Sequence, residues 1–388
     1  MNDSKLVPSF RFVEFKEGYT KNNLKELASF LKGKGYSKND IVNYGFPIIL
    51  YGRMYTNYRL NIKFINDTFV KNDKNSVKSV EGDVIIPASG ETAEDISIAS
   101  NIKRSGIIIG GDINIIRPDN KLIDSSFLAL VLSNGKVKQQ IAKRAQGKSI
   151  VHIHNTDLMS LKIYFPSLNE QQKIGDFFTK LDKLLDLQQQ KIDKLELLKK
   201  AFLQKLFPKH DAQIPEFRFK GCNGEWEDCL VGNLLEVVPN KKYITEASKK
   251  GLNPVIQQGE KPILGFSNKA PYKEYKKVVL FGDHTLSLYK PKSPFLIATD
   301  GIKILYVKDW NGYFLFAFLQ KYKPDSEGYK RHFSILKSKK AKFTVIDEEQ
   351  QKIGNLLSEV DQLIELENQK LQNFQQVKKC LLQNMFVE

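Results

Sequence analysis

The sequence predicts an α+β fold in which two mixed α/β domains are separated by a long antiparallel two-helix coiled coil, with pseudo-two-fold symmetry between the halves. Two observations predict it. Residues 170–208 align without gaps on residues 349–387, and both copies contain the block EQQKIG. Each copy has the periodicity of a helix, whereas the regions before them alternate short β-rich runs with turns.

Composition agrees with a folded protein of this design. The chain has 388 residues, of which 41% are hydrophobic and 11% aromatic, enough for two or three domains with ordinary cores. Lys and Arg outnumber Asp and Glu by 60 to 44, which gives a net charge of +16. A surplus of this size favours a polyanionic partner such as nucleic acid, although a lysine-rich bias that aids solubility would look the same.

The cysteine content and the apolar runs indicate where the protein works. The three cysteines form no C-x-x-C motif, which favours a reducing compartment over a disulfide framework. The first residues, MNDSKLVPSF, lack an apolar signal core, and no apolar run is long enough to cross a membrane. We therefore expect a soluble cytoplasmic protein.

Shorter matches show that the duplication extends beyond the helices. Val7–Phe12 (VPSFRF) corresponds to Ile214–Phe219 (IPEFRF), and Phe127–Leu132 (FLALVL) resembles Phe314–Leu319 (FLFAFL). The chain thus consists of a globular region and a long helix, followed by the same pair again. We place the boundaries of the globular domains at 1–166 and 209–346, and those of the central and distal helical spacers at 167–208 and 347–388.

The globular halves mix strands with short helices. Runs rich in Val, Ile and Phe predict strands at 84–87, 107–111, 113–116, 278–281, 295–297 and 302–306. Helical periodicity predicts helices over 24–31, 127–144 and 313–322.

Each repeated segment predicts one continuous helix. Ser167 with Glu170, and Asp347 with Gln350, have the spacing of a capping box at a helix start. Apolar residues then follow at spacings of four and three, which is a heptad seam that needs a partner helix. The seam comprises Ile174, Phe178, Leu181, Leu185, Ile192, Leu195, Phe202 and Leu206, and then Ile353, Leu357, Val360, Ile364, Leu371, Phe374, Leu381 and Met385.

Polar residues interrupt the seam at matching places and suggest a register. Antiparallel packing that sets Lys199 opposite Glu367 also sets Gln188 opposite Lys378, so that polar residues meet polar partners. The same register sets Leu181 opposite Met385, Ile192 opposite Phe374 and Leu206 opposite Val360. In the alternative, both lysines simply extend outward into solvent.

A helix from 174 to 206 is about 50 Å long, and antiparallel pairing would suit two DNA half-sites read on opposite strands. Plain dimerisation is the commoner use of a coiled coil.

Basic residues interleaved with Tyr, Asn and Gln mark candidate DNA contacts in the loops. Arg and Lys bind phosphates or guanine edges, and Asn and Gln pair with adenine edges. The candidates in the first half are Lys32, Lys34, Tyr36, Arg53, Tyr55, Asn57, Arg59, Arg104, Arg144, Gln146 and Lys148; those in the second half are Lys241, Lys242, Gln257, Gln258, Lys261, Lys269, Lys273, Lys276, Lys330 and Arg331. Many of these side chains are expected to be ordinary solvated surface.

The layout resembles the specificity subunit of type I restriction–modification enzymes. The resemblance depends on EQQKI at 170–174 and 349–353, GFPIILYG at 45–52, and LFGDHT at 280–285 followed by ATDGI at 298–302. It implies two target recognition domains that each read one half of a bipartite site in double-stranded DNA, with the helices as a molecular ruler. It also implies assembly with two DNA-adenine methyltransferase subunits and with motor/endonuclease subunits. The first half has Glu81–Val84 where the second has FGDHT, so we expect the two domains to read different sequences.

Two motifs that would indicate a ligand site are incomplete. Gly147–Ser149 resembles the end of a phosphate-binding loop, but Ala142 stands where that motif needs glycine. His152 and His154 would point to one face of a strand, yet no third ligand follows at zinc spacing. The sequence predicts no metal and no cofactor.

Signatures of catalysis are also incomplete. Glu14–Lys16 and Glu274–Lys276 have the Glu-x-Lys form of metal-dependent nucleases without the upstream Pro-Asp pair. The methyltransferase signature Asn-Pro-Pro-aromatic is missing, since Val255 follows Asn253 and Pro254. Three hypotheses result: a non-catalytic DNA-recognition subunit, a self-contained nuclease or methyltransferase, and a scaffold whose basic surface binds something other than DNA. The duplicated halves favour the first.

Overall fold

A computed structural model gives the fold and describes residues 7–73, 76–147, 149–326, 328 and 331–387. The chain divides into two compact units: unit 1 is Met1–Gln188 with Leu371–Glu388, and unit 2 is Gln189–Lys370. Each unit contains one globular part and a portion of each long helix. The predicted α+β class is confirmed.

Unit 1 is built from many short strands and five short helices among its described residues. The strands are β1 (Thr20–Asn23), β2 (Ala28–Lys32), β3 (Ile41–Val42), β4 (Phe46–Ile49), β5 (Asn61–Ile62), β6 (Phe69–Val70), β7 (Val77–Lys78), β8 (Val84–Pro87), β9 (Ser89–Gly90), β10 (Ser100–Ile102), β11 (Ile108–Ile109), β12 (Ile113–Pro118), β13 (Val151–His152) and β14 (Lys162–Phe165). The helices are α1 (Leu24–Leu27), α2 (Tyr51–Thr56), α3 (Ser125–Ser133), α4 (Gly135–Arg144) and α5 (Asn155–Met159).

Two five-stranded sheets form the centre of unit 1, in the orders β2-β12-β8-β10-β5 and β3-β6-β4-β11-β7. Strand β8 is buried along its whole length because its sequence VIIP presents apolar side chains on both faces. Helix α3 packs on the first sheet through Phe127 and Leu128, which are fully buried. Phe178 of the first long helix and Met385, directly after the second, belong to the same apolar cluster.

Unit 2 is the second mixed domain. After the first long helix, α6 (Leu168–Lys205), come β15 (Glu227–Leu230), α7 (Val231–Leu234), β16 (Glu236–Val238), β17 (Asn253–Ile256), β18 (Ile263–Ser267), β19 (Val279–Gly282), β20 (Leu288–Tyr289), β21 (Leu296–Ile297), β22 (Ile302–Tyr306), α8 (Gly312–Tyr322), α9 (Phe333–Lys337), β23 (Lys340–Phe343) and the second long helix, α10 (Asp347–Asn384). The sheets run β16-β22-β19-β20 and β18-β17-β21. Phe207, Trp226, Phe314 and Phe318 fill the core beside Ile353 of α10.

The same two-stranded ladder leads into each long helix. β1 pairs antiparallel with β14 in unit 1, and β15 pairs antiparallel with β23 in unit 2. In both units the second strand of the ladder is followed within a few residues by the long helix.

Some predicted elements differ from the observed ones. Helix α1 ends at Leu27, because Ala28 is extended and begins a strand that pairs with β12, so the predicted helix over 24–31 was wrong in its second half. The predicted helix over 127–144 is two helices, separated at Asn134 and at Gly135, whose φ of 59° is left-handed. The predicted strands lie within one or two residues of their observed positions, and the helix at 313–322 is confirmed.

The predicted heptad seam is confirmed, since all of its members are buried or half-buried. The pairing is antiparallel within each unit. In unit 1, Phe178 of α6 stacks on Phe386, with ring centroids 6.3 Å apart, and Asp182 then pairs with Lys378 at 2.5 Å. In unit 2, Lys191 pairs with Glu367 at 2.9 Å and Lys199 with Asp361 at 2.6 Å.

The predicted register is wrong by about one heptad. Lys199 binds Asp361 instead of Glu367, whose buried carboxylate binds Lys191 and Lys370. Lys378 binds Asp182. Asp182 and Asp361 lie beside the seam and give both lysines a carboxylate partner. These carboxylates neutralise the two lysines in a register that is unfavourable when only the seam residues are considered. The two ion pairs are reciprocal, because Asp182 and Asp361 are equivalent in the repeat, as are Lys199 and Lys378.

The block EQQKIG attaches the globular part of each unit to its helix. In unit 1, Nε and Nη2 of Arg11 donate to the two carboxylate oxygens of Glu170, both at 2.7 Å. In unit 2, Arg218 donates to Glu349 at 2.9 and 3.1 Å. The predicted capping role of Glu170 was therefore wrong: its carboxylate binds an arginine 159 residues away.

Backbone contacts repeat the same arrangement. The amide of Phe10 donates to the carbonyl of Asn384, and that of Phe217 donates to the equivalent carbonyl of Lys205. Gly354 permits a close helix contact, because a Cβ there would lie 2.6 Å from the backbone nitrogen of Phe314. Both halves thus use one scheme to join domain and helix.

Among the described residues, no helix is long and apolar enough to cross a membrane.

Candidate nucleic-acid interface

In unit 1, several predicted contacts gather around two loops and helix α2. The amide of Lys34 donates to the carbonyl of Ile109, and Tyr36, with a left-handed φ of 56°, donates its hydroxyl to the Asn72 carbonyl at 2.8 Å. Tyr36 and Arg53 line one cleft of about 600 Å³ together with Tyr51. Lys32, at the end of β2, and Lys34, in the loop after it, are both exposed.

Some basic and amide groups of unit 1 already have protein partners. Arg53 forms an ion pair with Asp67, which also accepts from the Asn57 amide at 2.8 Å. Arg59 pairs with Asp186 of α6, so it helps to hold the globular part on its helix. These three side chains would have to exchange partners to bind DNA.

The remaining candidates of unit 1 differ in accessibility. Arg104 is exposed and lies 5.7 Å from the ring centroid of Phe64. Tyr55 is half-buried, and burial raises the pKa of its hydroxyl, which therefore stays a neutral donor. Arg144 ends α4, and its buried Nη1 has no hydrogen-bond partner within the described part of the chain. Gln146 is exposed and Lys148 lies outside the described residues.

In unit 2, the β17–β18 hairpin carries three of the predicted contacts. Gln257 donates its amide to the Lys261 carbonyl at 2.9 Å, which closes the turn. The side-chain oxygen of Gln258 accepts from the His284 backbone amide at 3.0 Å, between Gly282 and Gly301. Both glutamines thus shape the loops, and Lys261 is exposed at the hairpin tip.

The other candidates of unit 2 are mostly free lysines. The exposed members are Lys241, Lys242, Lys269, Lys273, Lys276 and Arg331, whereas Lys330 lies outside the described residues. Lys241 and Lys242 form a short 3₁₀ turn after Asn240, which donates to the carbonyls of Asp300 and Ile302. Within the described residues, none of the five lysines forms an ion pair. Such cations can neutralise phosphates at little cost.

One feature of the hairpin was missed from the sequence. Ile263, Leu264 and Phe266 of the edge strand β18 are 48, 52 and 37% exposed. Apolar side chains beside lysines are the kind that insert between base steps in minor-groove binders. The run ILGFS reads as a buried strand, because periodicity does not reveal that the strand lies at an edge.

The described residues contain no group of three His, Cys, Asp or Glu placed to hold a metal ion. His152 is instead 2.9 Å from the hydroxyl of Ser89, through Nδ1. The loops present cationic, amide and aromatic side chains, which are the groups that proteins use on phosphates and bases.

Comparisons with known proteins agree with this chemistry. Residues 16–197 match the family of type I restriction modification DNA specificity domains. The MjaX type I restriction enzyme specificity subunit of Methanocaldococcus jannaschii is 28% identical over 71% of this chain and 70% of its own length. The MjaVIII specificity subunit of the same organism is 27% identical over 45% of this chain and 39% of its own.

A solved structure shares the fold across nearly the whole chain. The crystal structure of the type I restriction–modification S subunit from M. genitalium aligns with a TM-score of 0.68 and 16% identity, covering 98% of this chain and 99% of that one. The fold of this chain is therefore that of the S subunit. The chain is thus similar to specificity subunits of type I restriction–modification systems, in the sequence of residues 16–197 and in its fold.

Proposed function

We propose that each globular half of the chain reads one part of a bipartite DNA target and that the long helices set the spacer between the parts. The finer division into domains 1–166 and 209–346, with helical spacers 167–208 and 347–388, belongs to this proposal, as do the exposed basic residues as DNA contacts. Such a protein would work in the cytoplasm, beside its DNA.

One observation carries the proposal: both halves are attached to the helices by equivalent contacts. Arg11 with Glu170 and Arg218 with Glu349 occupy matching positions, and the backbone contacts of Phe10 and Phe217 match as well. Two domains mounted alike at a fixed separation along the chain suit two half-sites at a fixed spacing. A continuous helix of 38 residues is about 57 Å long, the scale of one to two turns of B-DNA.

The first test measures DNA binding and its salt dependence. Specific binding should weaken steeply with salt, with a log–log slope of several units if six or more phosphates are neutralised. Replacing Lys241 and Lys242 together with Gln should reduce that slope by about 2. The control is Lys220→Gln, which removes an exposed lysine outside the predicted set. A flat salt response would contradict the DNA role.

The second test addresses the spacer. Inserting one heptad at equivalent places in both helices should lengthen the spacer of the recognised site and leave both half-sites unchanged. The recognised sequence is read from methylated adenines in cells that contain the complete system. An unchanged spacer in a folded variant would contradict the ruler function.

An exposed apolar stripe favours two identical partner subunits. Leu184 and Leu187 of α6 are 42 and 52% exposed, and their repeat equivalents Leu363 and Leu366 of α10 are 47 and 46% exposed. Leu198 and its equivalent Val377 are 42 and 51% exposed. Heptad spacing places each set on one face of its helix. Since the stripe occurs twice, we assign it to two DNA-adenine methyltransferase subunits, which then recruit the motor/endonuclease subunits.

Stoichiometry tests this assignment. Replacing Leu184 and Leu187 with Glu should remove one methyltransferase copy, and the matching change at Leu363 and Leu366 should remove the other, as measured by native mass spectrometry. Replacing the neighbouring exposed Lys183 with Glu is the control. Two bound copies in both variants would place the partner surface elsewhere.

A further inference from the structure

A cleft in unit 2 is lined mostly by residues outside the predicted DNA contacts, of which it contains Lys276 alone. It has a volume of about 1210 Å³ and lies between the turn before β19, the strand β20 with the residues after it, the segment from β22 to the start of α8, and the sides of α6 and α10. Its lining includes Lys290, Trp310, Tyr313, Phe316 and Gln320.

Lys290 presents a buried cation to this cleft. The residue is 9% exposed, its ammonium donates to the Tyr275 carbonyl at 2.8 Å, and it lies 5.1 Å from the ring centroid of Tyr313. Among the described residues no carboxylate lies within ion-pair distance of it, and burial lowers its pKa to about 8. An ammonium has three N–H donors, so Lys290 keeps two that can donate hydrogen bonds to an anion.

The backbone around Lys290 is fitted to the lysine. At Gly312 a Cβ would lie 3.0 Å from Cε of Lys290 and 2.1 Å from the Lys276 carbonyl oxygen. Only glycine lets the lysine stem reach this position beside the start of α8.

A second polar group in the cleft lacks a partner. The side-chain oxygen of Gln320 is buried and accepts no hydrogen bond within the described part of the chain. A buried acceptor without a donor is unfavourable, and a ligand with an N–H group would satisfy it. Trp310, Tyr313 and Phe316 supply partly accessible aromatic rings between these groups.

The charge of the lining also favours an anion. Lys199 and Lys292 are neutralised by Asp361 and Glu365. The other charged residues of the lining are Lys276, Lys277, Lys290 and Lys308 against Asp309 and Asp347.

We propose that this cleft binds one nucleotide whose base carries an exocyclic amino group. The phosphate accepts from Lys290, the base stacks on the aromatic rings, and the amino group donates to Gln320. The nucleotide could be free or could be an unpaired residue of a DNA strand, and the two sources share this chemistry. This site is separate from the duplex-reading function proposed above.

Tryptophan fluorescence of the full chain tests the site directly. The chain has two tryptophans, so Trp226→Phe leaves Trp310 as the sole reporter within the cleft. Titration with dAMP should quench this signal saturably, whereas deoxyadenosine, which lacks the phosphate, should bind at least tenfold more weakly. Lys290→Met should weaken dAMP binding about tenfold or more, and Gln320→Leu should abolish the preference for dAMP over dIMP, which lacks the amino group.

Lys292→Met is the control, since this lysine lines the same cleft but is 62% exposed and already paired. All variants are checked for native circular dichroism. If only a single-stranded oligonucleotide binds, with the same loss in Lys290→Met, the site takes its nucleotide from DNA. If neither dAMP nor the oligonucleotide gives saturable quenching, or if Lys290→Met leaves the affinity unchanged, the proposal is wrong.

Discussion

The buried pair of Arg11 and Glu170 gives a sharp test of how the first domain is held on its helix. The side chains are 12 and 1% exposed, and two parallel hydrogen bonds of 2.7 Å join them. In Arg11→Met the Glu170 carboxylate stays buried without its cation, which we expect to cost about 3–5 kcal/mol of unfolding free energy. Glu170→Gln removes the charge but keeps the shape, and should cost about 2 kcal/mol.

A double-mutant cycle measures this interaction by urea unfolding followed by circular dichroism. The double variant should be less destabilised than the sum of the single variants, because the unpaired carboxylate is then absent. Hydrogen exchange should also accelerate at the Phe10 amide, which donates to Asn384 next to the pair. The matched control is Lys173→Met, since Lys173 and Glu14 are each 46% exposed and should contribute less than about 1 kcal/mol.

The second copy supplies an internal comparison. Glu349 accepts from Arg218 but also from the Thr344 hydroxyl at 2.7 Å. Arg218→Met should therefore cost less than Arg11→Met, because one donor remains on the buried carboxylate. Equal losses in Arg11→Met and Lys173→Met would refute the argument.

Three further predictions concern packing and charge. Gly354→Ala should lower the unfolding free energy by about 1–3 kcal/mol, because the new Cβ would lie 2.6 Å from a backbone atom. Gly175→Ala should cost less, since the nearest atom there is a side-chain carbon at 2.9 Å, and thermal unfolding ranks the two variants. Lys378→Gln should destabilise more than Asp182→Asn, because it leaves the more buried partner, Asp182, as an unpaired charge. The exchanged pair Asp182→Lys with Lys378→Asp should recover part of the loss in melting temperature. Below pH 8, Lys290→Met should be more stable than the parent by up to about 3 kcal/mol. This difference should fade between pH 8 and about 10.5, because the lowered pKa of Lys290 means that the unfolded chain binds more protons than the folded chain in that interval. Thermal shifts across this range that stay parallel would contradict the last prediction.

The sequence was most informative where one physical rule decided the outcome. Burial follows heptad spacing, so the seam residues of both repeats, at 174–206 and 353–385, were predicted correctly. The register was not, because it depends on Asp182 and Asp361, which lie off the seam and were not considered as partners.

Long-range pairing limited the rest. Periodicity does not show that Glu170 meets Arg11, since the two are 159 residues apart. Composition likewise does not distinguish Lys241, which forms no ion pair with the residues that the structure describes, from Arg53, which pairs with Asp67. The short helix α1 ended early because the strand pairing of Ala28 with β12 outweighed local helical preference.

The reciprocal ion pairs have an evolutionary consequence. Asp182 of the first repeat binds Lys378 of the second, and Asp361 of the second binds Lys199 of the first. Both repeats therefore carry the same two complementary residues at equivalent positions. Recombination that crosses over at equivalent points of the two helices leaves each of these two aspartates facing a lysine. A lineage can therefore trade one globular module for another from a related gene without redesigning the scaffold that carries it.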